Sequence, residues 1–125
     1  MKRIDIYFLL LAAILLLCGA GLGIKMGASE DFTLTPVHAH LNLVGWASLA
    51  LFGLVYRSYP QLAERRLAPF HFIASATGSV LLPIGIGLAV LKNQPTLAIV
   101  ASLLWLLGVI LFFIQLLSLL RTRES

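Results

Sequence analysis

The side chains best equipped for chemistry lie in one run, Thr35-Pro36-Val37-His38-Ala39-His40-Leu41-Asn42-Leu43-Val44-Gly45-Trp46, set in an otherwise apolar stretch. Neutral imidazole is a good ligand for iron, copper and zinc, and it carries a proton near neutral pH. Ionisable groups inside an apolar span are costly and default to a functional role. On an α-helix each residue advances by about 100°, so His38 and His40 point about 200° apart and cannot share one metal ion. Each needs its own site. A helix in a bundle has one inward face, so if one ring looks into the bundle the other looks out, towards lipid or a second subunit. In a symmetric ring of subunits, His38 of one copy and His40 of the next would converge on one cavity between them.

A flat macrocycle with two axial imidazoles and apolar walls fits that geometry, so the expected cofactor is haem, with His38 and His40 as axial iron ligands. No Cys-x-x-Cys-His is present, which makes it a non-covalent b-type haem. Asn42 and Trp46, one and two turns beyond His38, are expected to line the same cofactor cavity. A competing reading leaves both histidines near the outer membrane surface, about 5 to 8 Å in from Thr35 by helix rise, solvated by water or headgroups. His71 starts a different helix from the other side, on the order of 15 to 20 Å from His40 by the same arithmetic, and is expected in an interfacial or proton-relay role. Paired carboxylates, a nucleophile with its base, a glycine-rich phosphate loop and a thiolate cluster are all missing, which removes hydrolytic, phosphoryl-transfer and zinc chemistry. The single Cys18, mid-helix among Leu and Gly, reads as a small packing residue.

The elements that must position these residues follow from composition. Of 125 residues 60% are hydrophobic and 11% charged, and the mean hydropathy is +1.00, outside the balance of a soluble domain. The apolar residues form four blocks, at about 6–24, 35–57, 68–91 and 96–120. Each is near or above the roughly 20 residues that cross about 30 Å of hydrocarbon as a helix. Strict apolar/polar alternation is absent, so barrel strands are excluded and the fold class is all-α, a single four-transmembrane-helix domain over 1–125. Of the nine basic residues, Lys2, Arg3, Arg57, Arg65, Arg66, Arg121 and Arg123 fall on one side and only Lys25 and Lys92 on the other. Both termini are therefore expected in the cytoplasm, in a bacterial-type inner membrane. The net charge of +4 is positive-inside topology and calls for no nucleic acid.

Lys2-Arg3 before an apolar run invites a signal-peptide reading. Leu17 before Cys18 is too bulky for lipoprotein cleavage and no A-x-A site follows, so the first block is read as a retained helix. Gly19, Gly21, Gly23 and Gly27 are expected to loosen its exit, with a short connector at 27–32. Thr35 and Pro36 read as cap and first residue of the second helix. Tyr56, Tyr59 and Pro60 should close that helix at headgroup level. Ala74, Ser75, Ala76, Gly78 and Ser79 allow close helix contact in the third, which Pro83 should bend. The fourth, nearly all Leu, Ile, Val and Phe, should be the most lipid-exposed.

The stretch His40-Leu41-Asn42-Leu43-Val44-Gly45-Trp46, running on to Tyr56-Arg57-Ser58-Tyr59-Pro60, resembles the second helix of the catalytic subunits of haem-copper oxidases and nitric oxide reductases. His38-Ala39-His40 is similar to the His-x-His of that family's tenth helix, whose histidines bind the two haems on either side. The family's subunit has twelve helices in three pseudo-equivalent groups of four. A minimal four-helix relative forming a homotrimer would resemble that twelve-helix oxidase core with true threefold symmetry. The resemblance implies haem ligation by His38 and His40. The family's copper centre uses further histidines, including an adjacent pair absent here, so an oxygen-reducing centre is not implied.

The expected protein is thus a trimeric membrane b-type haem protein for electron transfer or binding of a diatomic gas, O2 or NO, with a redox partner. If it is an enzyme, it is a haem-dependent oxidoreductase. Two other classes compete: a copper or other metal-binding membrane protein using the same histidines, and a non-catalytic accessory subunit of a respiratory complex.

Overall fold

A computed structural model describes residues 3–121, apart from the side chain of Arg121. Lys2 and Arg123, used above in the charge count, lie outside the described residues. Four helices follow in order: α1 (Ile4–Ser29), α2 (Thr35–Ser58), α3 (Leu67–Lys92) and α4 (Thr96–Arg121). All four are long and apolar enough to cross a membrane, so the chain is an all-α protein with four candidate spans. The glycines do not loosen the end of α1, which runs five residues past Ile24 to Ser29. In a continuous apolar helix each glycine still closes its backbone hydrogen bond, and an apolar surrounding offers no water to replace it.

The turns obey local chemistry. Glu30 (φ 54°) ends α1 and Asn93 (φ 53°) ends α3 in the left-handed conformation that closes helices. At the latter the Asn93 amide donates to the Leu88 carbonyl, and the Gln94 amide reaches the same carbonyl at 3.3 Å. Pro95 follows, and α4 starts at once. Between α1 and α2 the Asp31 carboxylate accepts from the Thr33 hydroxyl at 2.6 Å and from its amide at 3.0 Å. Those bonds, the hydroxyl's first, hold the Asp31 carboxyl below the ordinary carboxylate range. Thr35 does not cap α2. Its hydroxyl donates back to the Phe32 carbonyl at 2.6 Å, and Leu34 occupies the cap position without a side-chain bond.

The helices pack as antiparallel neighbours, α1 on α2 and α3 on α4, the latter the most extensive contact. Along α3 the small residues Ser75, Gly78 and Gly85 meet Gly108, Trp105 and Ala98 of α4, positions that rise on one helix as they fall on the other. A β-carbon on Gly78 would stand 2.8 Å from the Trp105 backbone nitrogen, so the two backbones touch where side chains would normally intervene. α4 is the most exposed helix, with 11% of its apolar window buried against 39% in α3. Cys18 is exposed on the surface of α1 and does not pack inside.

The core is lopsided. Ile4, Phe8, Leu49, Phe52, Tyr56, Leu62 and Ala68 form a buried cluster at the end of the bundle closed by the 3-10 turn Pro60–Glu64. Tyr56 belongs to this core at 2% exposure, whereas Tyr59, at 42%, stays at the surface. At the opposite end, the first six residues of α2, Thr35–His40, include none that is buried.

Candidate functional site

That open end carries the histidine pair. Pro36 occupies the first turn of α2, where its missing N–H leaves nothing unpaired. His38 follows on the side facing α1, where Gly19 and Gly23 lie one turn apart. A β-carbon on Gly23 would stand 2.8 Å from Cε1 of His38, and one on Gly19 would stand 2.8 Å from the Asn42 amide nitrogen. The two glycines therefore form a trough into which His38 and Asn42, also one turn apart, insert.

Backbone carbonyls fix both rings. Nδ1 of His38 lies 2.8 Å from the Gly19 carbonyl on α1, and Nδ1 of His40 lies 2.8 Å from the Pro36 carbonyl one turn back on its own helix. A carbonyl only accepts, so in each neutral ring Nδ1 carries the hydrogen and Nε2 keeps its lone pair. Asn42 Nδ2 also sits 3.4 Å from His38 Nδ1, but its own short bond, 2.8 Å, goes to the His38 carbonyl. Among the described residues no hydrogen bond engages either Nε2, and neither residue is buried. This is the arrangement in which histidines bind metals: one nitrogen held by an acceptor, the other presented.

Immediately after His40 the helix changes. Leu41–Ser48 is π-helical, a form rare in runs of any length and concentrated at functional sites. Side chains occupy carbonyls at both ends of it: Asn42 on His38, and the Ser48 hydroxyl on Leu43 at 2.7 Å. Within it Gly45 faces α1, where a β-carbon would meet Leu15 at 2.9 Å. Trp46, expected beside His38 and Asn42, is 37% exposed. His38 and Asn42 are thus brought together, while His40 bonds back to its own helix.

His71 is placed otherwise than at an interface. It is wholly buried, one turn into α3, with its ring against Phe8, Phe52, Tyr56 and Phe112 at centroid distances of 4.8 to 5.7 Å. Its Nδ1 is 3.0 Å from the Tyr56 hydroxyl. Gln115 of α4 donates to that hydroxyl at 3.2 Å and to the Leu62 carbonyl at 3.3 Å. Sequence reasoning singled out His71 but not Gln115, nor Tyr56 as their shared partner. The available signal was that His71 and Gln115 both interrupt apolar helices, and strongly polar residues in spans usually find one another.

Beside this cluster, at the surface near the 60–64 turn, is a cavity of about 610 Å³ lined by Arg3, Asp5, Tyr56, Arg57 and Glu64 among others. Arg57 and Asp5 pair across it at 3.2 Å.

Among the described residues no group of three or more His, Cys, Asp or Glu side chains comes together to hold a metal ion. A single copy therefore offers imidazoles one at a time. No family model, curated protein or solved structure matches this chain.

Proposed function

We propose that the protein is a membrane b-type haem protein in which His38 of one subunit and His40 of its neighbour are the axial ligands, serving electron transfer or the binding of a diatomic gas. The observation that carries this reading is the pair of carbonyl-held Nδ1 atoms, which leaves each Nε2 with a free lone pair, and helical spacing sets the two apart. Diverging donors on one helix cannot chelate, but they can bridge successive copies around a ring. The lack of buried residues in Thr35–His40 supports the same assembly, since a partner would supply the walls this end of the bundle does not build for itself. The resemblance to haem-copper oxidases favours three copies, with both termini on the cytoplasmic side of a bacterial-type inner membrane.

The residues fit the group. Bound there, haem would supply one-electron chemistry and an iron able to take a gas. The chain's own contributions are separable. Gly19 sets the orientation and tautomer of the His38 ring through its carbonyl. Pro36 does the same for His40. Asn42 fills the trough beside His38 and bonds the His38 carbonyl just before the π-helical run.

Protein purified in mild detergent from haem-replete cells should show a b-type spectrum and run as a trimer. His38→Ala and His40→Ala should each abolish the spectrum while the protein still inserts. A colourless oligomer carrying copper would transfer the reading to a metal-binding protein. A colourless protein fixed in a larger complex would reduce it to an accessory subunit.

A further inference from the structure

From the Tyr56–His71–Gln115 cluster we infer that His71 is a proton-binding site loaded from the protein surface that carries Arg57 and Glu64, with Tyr56 as the gate. The orientation of the hydrogens follows from the acceptors. The Leu62 carbonyl fixes the Gln115 amide so that Nε2 faces it and the Tyr56 oxygen. Tyr56 accepts from Gln115 and its oxygen lies 3.0 Å from Nδ1 of His71; we take the hydroxyl as donor to that nitrogen. With that donor the neutral ring carries its hydrogen on Nε2, the tautomer opposite to that of His38 and His40.

Three polar atoms are left over in the same interior: Nε2 of His71, the Ser75 hydroxyl one turn further along α3, and Oε1 of Gln115. His71, Ser75 and Gln115 are each 0% exposed. Unpartnered buried polar atoms are expensive and rare, and one of these is on the imidazole itself. The rings of Phe8, Phe52 and Phe112 pack against the imidazole at centroid distances of 4.8 to 5.4 Å, and the inferred guest is a proton. The cluster already holds one acceptor that an imidazolium needs, the Tyr56 oxygen for Nδ1–H.

Access runs through one residue. Tyr56 lines the cavity at the 60–64 turn and also bonds His71. Of the elements around the imidazole, α1 contributes Phe8 to the ring contacts, α2 Phe52 and Tyr56, and α4 Phe112, so Tyr56 is the titratable group touching it. The carboxylates Asp5 and Glu64 and the guanidiniums of Arg3 and Arg57 stand behind Tyr56 at the cavity wall. In loading, the Tyr56 O–H bond breaks as a new N–H bond forms at Nδ1, and a hydronium in the cavity restores the tyrosine proton. One proton is taken from that side and no electron moves. Neither His38 nor His40 takes part, so the inference stands or falls apart from haem.

Histidine 15N spectra of the protein in lipid nanodiscs test it, with Tyr56→Phe as the variant because phenylalanine keeps the ring among its aromatic neighbours. The expected result is an Nε2–H tautomer for His71, a second proton taken up on acidification of the folded protein, and a rate of uptake roughly a hundredfold slower in Tyr56→Phe. In sealed vesicles with one orientation, uptake should follow a pH jump on the Arg57 side and ignore one confined to the other. An Nδ1–H tautomer, no second proton before unfolding, an unchanged rate in Tyr56→Phe, or uptake from the opposite side would each overturn it.

Discussion

Replacing Gly23 with alanine should damage the His38 site while leaving the bundle nearly as stable as before. The added β-carbon would stand 2.8 Å from Cε1 and 3.2 Å from Nδ1 of His38. Carbon atoms rest at about 3.5 to 4.0 Å, so the ring must retreat by roughly 0.7 to 1.2 Å. A retreat of that size stretches the 2.8 Å bond from Nδ1 to the Gly19 carbonyl beyond hydrogen-bond range. Losing it costs about 0.5 to 1.5 kcal/mol, and exchanging a mid-helix glycine for alanine returns about 0.5 to 1 kcal/mol, so stability should change little. Ligation should change far more, because removing the group that orients a metal-binding histidine typically lowers affinity about 10- to 100-fold. Gly21 and Gly27 lie on the same helix with no atom within 4 Å of an added β-carbon, and their alanine variants are the internal controls. The assay is haem titration followed by absorbance, with the His38 Nδ1–H proton signal as a second readout that needs no haem. Unaltered binding and an unaltered proton signal in Gly23→Ala would refute the reasoning, as would an equal loss in Gly21→Ala.

Other substitutions separate fold from site. Gly78→Ala meets Trp105 backbone, which cannot swing aside as an imidazole can. Relative to Gly21→Ala it should lose about 1 to 3 kcal/mol of overpacking in reversible unfolding from mixed micelles, and equal stability of the two would argue against the close α3–α4 approach. Asp5→Asn removes the pair with Arg57, whose side chain is 69% exposed. The loss should be about 1 kcal/mol or less and should vanish at high salt; a loss of several kcal/mol would show a far drier pair. The depressed Asp31 carboxyl makes the α1–α2 connector pH-sensitive in one direction. Its contribution is complete above the ordinary carboxylate range and fades as pH falls through the lowered value, so the Thr33 amide signal should stay fixed until more acid conditions than a free aspartate requires, and Asp31→Ala should abolish the transition.

The number and approximate limits of the helices were legible because a bilayer demands long uncharged runs, and four of them are visible in the order of residues alone. Divergence of His38 from His40 was equally legible, since helical pitch sets it without reference to anything else. Local order could not say which ring turns inward. That was decided by the missing β-carbons of Gly19 and Gly23, nineteen and fifteen residues away along the chain, which admit His38 and offer it a carbonyl. The π-helical run escaped the uniform pitch assumed for α2. His71 looked interfacial from its place near a helix end, but depth along a helix does not reveal which way a side chain faces. Only the packing of four helices, with Tyr56 and Gln115 arriving from α2 and α4, placed it in a sealed interior. Patterns of period and length act through neighbours in sequence, whereas burial and hydrogen-bond partnership are settled between segments that the chain order keeps far apart.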